Sequence, residues 1–171
     1  MSVLRQVSRD FEAATHEIGH FLCALSLGVG VLEVNIDSDE LAEGGFILYD
    51  QAPSKRVDGL IAYAADAFLL SLNIDPGRGG RKDLKRFEAS RLPQTWTATA
   101  LAALFSTRGV AELGQGLARF LVKHRTLRAE DCARIAEQHG PTLRAGGRAL
   151  LAALDPASRK LIEDELAARA D

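Results

Sequence analysis

Two hydrophobic periods alternate along the first half of the chain. Phe11, Ala14, Ile18, Phe21, Leu22 and Leu25 recur at helical spacing and predict a helix over about 8–27. Ser8 or Asp10 would cap its start, and Gly28 and Gly30 would stop it. Leu32, Val34 and Ile36 then alternate with Glu33, Asn35 and Asp37, the pattern of a half-buried strand over 31–37. Gly45-Phe-Ile-Leu-Tyr49 reads as a second short strand, so the two suggest a small antiparallel unit. Val57, Leu60, Ile61, Ala64, Ala65, Phe68 and Leu69 form a broad apolar stripe and predict a helix over 54–72. Residues 73–80 are a loop by composition, and a short helix over 82–91 ends before Pro93.

The remainder reads as all-helical, with helices near 95–105, 110–123, 129–138, 142–153 and 156–168. Gly140 follows His139 as a C-terminal stop. Asp155-Pro156 fits a cap followed by proline in the first turn, and Gly146-Gly147 are placed to bend the fourth of these helices. The expected fold class is α+β: predominantly helical, with a small antiparallel sheet beside the first helix. The division is soft, with a core over 1–92 and a helical half over 93–171 packed on it as one globular domain.

Composition narrows the partners. With 171 residues, 47% hydrophobic and 26% charged, the chain can bury a core without disulfides or metal staples. A net charge of −2, with acids and bases interspersed, argues against nucleic acid or an acidic membrane as a partner. The N-terminal stretch has no apolar run of signal-peptide length, and no window approaches the ~20 apolar residues of a membrane span. The expectation is a soluble, cytoplasmic protein. Cys23 and Cys132 are far apart and in no CxxC pair, so both read as reduced, buried thiols.

The chemistry lies on the first helix, in His16-Glu17-Ile-Gly-His20. Residues four apart share a helical face about 6 Å apart along the axis, so both imidazoles can reach one ion. Glu17 points beside that pair and can act as general base on a water at the metal. The HExxH pattern thus predicts a zinc site with His16 and His20 as ligands and Glu17 as the catalytic residue. A catalytic zinc needs a third protein ligand. Cys23 shares the histidine face but lies about 10 Å along the axis from His16, too far for a tight tetrahedron. Asp66, Asp83, His124 and His139 remain formal candidates. His124 and His139 fit better as residues at helix ends.

Beyond the motif, the chain resembles the FtsH-type zinc peptidases, the proteolytic domains of membrane-anchored AAA+ proteases. His16-Glu-Ile-Gly-His20-Phe-Leu-Cys-Ala-Leu is similar to that family's HEAGHA helix, with Phe21 where the family has a small residue. Val34-Asn-Ile36 and Gly44-Gly-Phe-Ile-Leu-Tyr49 resemble its strand and "GY" edge strand. Ala62-Tyr-Ala-Ala-Asp66-Ala stands in the place of its "GGRAAEE" helix. Gly79-Gly-Arg-Lys-Asp83-Leu-Lys-Arg86-Phe-Glu-Ala89 resembles its "TGAxNDLxxAT" segment.

The resemblance spans about residues 8–92. It implies that Asp83 is the third zinc ligand; Asp66, for its part, is a candidate to hydrogen-bond a zinc-bound histidine. It implies a zinc-dependent endopeptidase acting on peptides or unfolded proteins. The membrane anchor and ATPase of that family have no counterpart in these 171 residues, so an ATPase partner in trans and a homo-oligomer join the expectations. The competing expectation is a non-proteolytic, metal-stabilised binding or regulatory module. The glycine-rich stretch 77–80 lacks the GxxxxGK[ST] pattern of a phosphate loop and reads as the loop that presents Asp83.

Overall fold

The computed structural model describes residues 3–36, 45–76 and 80–169. Among them are α1 (Val3–Ser26), β1 (Val31–Asn35), β2 (Phe46–Tyr49), α2 (Lys55–Ser71), α3 (Arg81–Ser90), α4 (Gln94–Ser106), α5 (Val110–His124), β3 (Thr126–Leu127), α6 (Ala129–Gln138), α7 (Gly140–Ala153) and α8 (Pro156–Ala167). The fold is mostly helical with a small antiparallel sheet, as the hydrophobic periods require. Asp37 of the expected first strand, loop residues 77–79, and Gly44 and Gly79 of the quoted motifs lie outside the described residues.

The helix α1 is the centre of the molecule. Ala14, Ile18, Phe21 and Leu22 are fully buried; each large apolar side chain removed from water stabilises the fold by about 1.5–3 kcal/mol. The helices α2, α5 and α7 pack around it, and α3 and α4 pack on α2. One continuous core joins buried residues of α1, the sheet and the later helices, down to Ile162 of α8. Among the described residues no helix is long and apolar enough to cross a membrane.

Several boundaries differ from the sequence reading for identifiable reasons. The helix α1 begins at Val3, so neither Ser8 nor Asp10 is its cap. Asp10 instead forms an ion pair with Arg125 at 2.9 Å, a partner distant in sequence. In β1, Leu32 was expected inside but is 41% exposed, while Val31 is buried. The register of β1 against β2 shifts between Val31 and Glu33, and such an irregularity resets which face each side chain takes. The sheet has a third strand, β3, paired antiparallel to β1 through Val34 with Leu127 and Asn35 with Thr126. Two residues are too few for a period to register.

Gly140 is not a stop but the first residue of α7, and the break falls at His139 with Pro141 in the new first turn. The helix α7 runs unbroken through Gly146-Gly147. A Cβ on Gly147 would lie 2.0 Å from Ser26 O, so the glycine permits the close approach of α7 to the end of α1. Other signals act as expected. Gly28, at φ +75°, takes the left-handed turn after α1. Asp155 Oδ1 accepts from Ser158 N at 3.0 Å and caps α8.

Candidate metal centre

The site begins with a glycine inside the motif. A Cβ on Gly19 would come within 2.7 Å of Ala65 Cα and 3.0 Å of Phe68 Cβ, so α1 and α2 touch almost backbone to backbone there. That approach brings His20 Nδ1 to 2.8 Å from the Ile61 carbonyl of α2. A carbonyl only accepts, so Nδ1 carries the proton and donates. In the neutral ring Nε2 is then left with a free lone pair. The helix α2 thereby fixes both the orientation and the tautomer of His20, the arrangement that suits a metal ligand.

His16, one turn earlier, sets its ring edge-on to that of His20, with centroids 4.8 Å apart and planes at 86°. Asp83 enters from the first turn of α3. His16 Nε2 and His20 Nε2 are 3.2 Å apart. Asp83 Oδ2 lies 3.1 Å from His16 Nε2 and 3.4 Å from His20 Nε2. A tetrahedral ion with bonds of about 2.0–2.1 Å spaces its ligand atoms by about 3.3 Å. The three atoms therefore match one face of such a tetrahedron, and the group can hold a metal ion. Of the formal candidates for a third ligand, Asp83 is the one that the fold brings to the histidine pair. His124 lies at the end of α5, stacked on Phe120, and His139 caps α6.

Burial and charge act in opposite directions here. Burial alone would raise the Asp83 carboxyl, but hydrogen bonds from His16 and His20 and their charges outweigh it and hold it well below the usual carboxylate range. Burial alone would favour a neutral His20, yet the hydrogen bond and charge of Asp83, with Glu17 and the Ile61 carbonyl, push its value up. Glu17 is 6% exposed. Burial pushes its carboxyl up, only partly offset by His20 and His16. The chain crosses directly over it at Gly45, where a Cβ would lie 2.7 Å from both Cγ and Oε1 of Glu17. Glycine at this position makes room for the carboxylate.

His16, His20, Asp83 and Glu17 open into a cleft of 310 Å³. Its other walls are Phe46, Ile47 and Tyr49 of β2, with Lys82 and Arg86 of α3. The strand order is β2-β1-β3, so β2 is an outer strand of the sheet. Asp66 stands where a partner for His16 was expected, but its Oδ1 is 4.0 Å from His16 Nδ1, beyond hydrogen-bond distance. That oxygen is buried with no hydrogen-bond partner in the structure, and burial pushes the Asp66 carboxyl up. Cys23 is fully buried with its thiol toward the Leu60 carbonyl; burial pushes the thiol far up, as befits core rather than ligand. Both cysteines are free and buried.

Sequence reasoning missed Arg86, which bonds Asp83; Asp58, which holds Arg86; and Tyr49, which lines the same cleft. Arg86 sits one turn after Asp83 and was visible as a local i,i+3 pair. Nothing local pointed to Asp58 or Tyr49, which arrive from α2 and β2. No family model, curated protein or solved structure matches the chain. The resemblance to FtsH-type peptidases therefore rests on the quoted motifs.

Proposed function

We propose that the protein is a zinc-dependent endopeptidase acting on flexible or unfolded polypeptides. The observation that carries this reading is the triangle of His16 Nε2, His20 Nε2 and Asp83 Oδ2, with edges of 3.1–3.4 Å beside the buried carboxyl of Glu17. Two imidazole nitrogens and one carboxylate oxygen are donors that zinc accepts readily, and three such ligands leave a position open. Zinc, when bound, supplies a Lewis acid that lowers the pKa of water and polarises the scissile carbonyl.

The chain's own residues account for the proton. Glu17 accepts a proton on its carboxylate from the attacking water as the new C–O bond forms. It then returns the proton to the amide nitrogen as the C–N bond breaks. Water is added across the bond and Glu17 ends as it began. A carboxyl raised by burial is better matched to holding that proton than an ordinary surface glutamate. The outer strand β2 supports extended substrates, since a peptide laid along it could pair with its backbone in front of the ligands. The resemblance to proteases that work with an unfoldase adds two further parts to this reading, an ATPase partner in trans and self-association.

The test is elemental analysis and a peptidase assay on the zinc-incubated, dialysed protein. We expect close to one zinc in the wild type and much less in Asp83→Ala. Glu17→Gln should keep the zinc and lose cleavage of an unfolded substrate such as casein. Cleavage retained by Glu17→Gln would refute the mechanism.

A second reading has an observation of its own. The ligands come from two helices, so an ion would tie α3 to α1 whether or not catalysis follows. A metal-stabilised binding module would take up zinc, unfold on chelation and cleave nothing.

A further inference from the structure

The two oxygens of Asp83 face different ways. Oδ2 meets His16 and His20, while Oδ1 accepts from Arg86 Nη1 at 2.9 Å. The rest of the guanidinium is engaged elsewhere. Its Nε donates to Asp58 Oδ2 at 3.0 Å and its Nη2 to Asp58 Oδ1, which anchors it to α2 by a two-pronged contact. Tyr49 of β2 lines the same cleft wall as Arg86. Arg86 is thus held from two sides: by Asp58 of α2 and by Asp83 on its own helix.

We propose that Arg86 is a positioning residue of the metal centre, occupying Asp83 Oδ1 so that Oδ2 alone is presented to the ion. This inference rests on the metal reading above. A carboxylate can grip a cation with one oxygen or with two, and the choice sets both coordination number and the room left for water. At Asp83 a rigid fork makes that choice. Asp58 fixes the plane of the guanidinium, and the remaining prong takes the oxygen that would otherwise turn toward the ion. Lysine has the charge but no fork, so it could not hold Asp58 and Asp83 together in this way. An arginine whose only task was to bind α3 to α2 would be satisfied by Asp58 alone. The bond to Asp83 is the part that such a role leaves unexplained.

The experiment uses the full chain as wild type, Arg86→Gln, Arg86→Lys and Asp58→Asn. It measures zinc affinity by competition with a chelator, and the visible spectrum after loading with cobalt(II). We expect the zinc Kd of Arg86→Gln to rise by about 10–100-fold, the range for losing a partner of a metal ligand. Arg86→Lys should fall between it and wild type, and Asp58→Asn should show a smaller rise. Cobalt in Arg86→Gln should absorb more weakly than in wild type, because a second carboxylate oxygen raises the coordination number. A folding role alone would not change that spectrum. Wild-type affinity and spectrum in Arg86→Gln would overturn the proposal while leaving the metal site standing. Should Arg86→Gln fail to fold, unchanged affinity in both Arg86→Lys and Asp58→Asn would overturn it equally. A wild type that binds neither ion would overturn the metal reading and this inference with it.

Discussion

The two histidines of the motif sit one helical turn apart but are held very differently. His20 is 5% exposed and anchored through Nδ1 to a backbone carbonyl in the middle of α2. His16 is 21% exposed; its Nε2 faces Asp83 at 3.1 Å, while the acid beside its Nδ1, Asp66, stands at 4.0 Å. One histidine is fixed by the packing of two helices, while the other is more open to solvent and its described anchor is Asp83 across the site. A motif therefore does not make equivalent positions. Equivalent spacing along a helix meets two different surroundings, and the surroundings decide how much of the geometry is set before an ion arrives.

Substitutions can break this asymmetry. The largest effect should come from His20→Ala, which loses the metal and also empties a buried space. We expect a loss of about 2–4 kcal/mol in the chemical denaturation of the metal-free protein, as for other large-to-small core changes. His16→Ala should lose the metal as completely yet cost under about 1 kcal/mol in the same measurement. Equal costs would show that the two positions are not held differently.

Gly19→Ala comes next, because it forces α1 from α2 at the point where His20 is aligned. A cost of about 1–3 kcal/mol is expected, with weaker zinc binding in chelator competition. Unaltered zinc affinity would mean that the Ile61 contact does not orient the ring. Asp66→Asn should have the smallest effect, a rise in zinc Kd of no more than about 10-fold, the low end for groups that support a ligand.

The pH dependence of the metal-free protein sharpens the same contrast. Asp83 is held below its ordinary value, so its contribution is present above about pH 4 and is lost as pH falls further. His20 is raised, so its contribution is present below about pH 6.5 and is lost as pH rises through the folded value. Thermal melting of chelator-treated protein should show both losses, and Asp83→Asn should flatten the profile. A profile unchanged by that substitution would remove the His20–Asp83 contact from the account.

How much of this was legible depended on whether the information was local. The pair His16 and His20, Glu17 between them, and the caps at Asp155 and Gly28 lie within single turns, where spacing alone fixes geometry. Asp83 could be picked out only through a resemblance, because spacing left Asp66 open beside it, disfavoured His124 and His139 without excluding them, and put Asp83 67 positions from His16. Leu32 was placed on the wrong face because a shift of register leaves no mark in an alternating pattern. Arg86 went unread because its meaning lies in Asp58, which tertiary packing supplies. The exposure of Asp66 to His16 at 4.0 Å, close but not bonded, is a distance that no pattern of residues encodes.

The span of 67 residues between His16 and Asp83 has a further consequence. An ion held by both would close a covalent-like loop containing β1, β2 and the whole of α2. In the unfolded chain, closing a loop of that length removes conformational entropy on the order of 4 kcal/mol at room temperature, if the tie behaves as a disulfide does. Occupancy of three side-chain atoms would then be felt along a large part of the backbone. Removing the ion would return that freedom first to α3, which among the described residues packs mainly on α2, so amide hydrogen exchange in α3 would report on the ion before any change in α1.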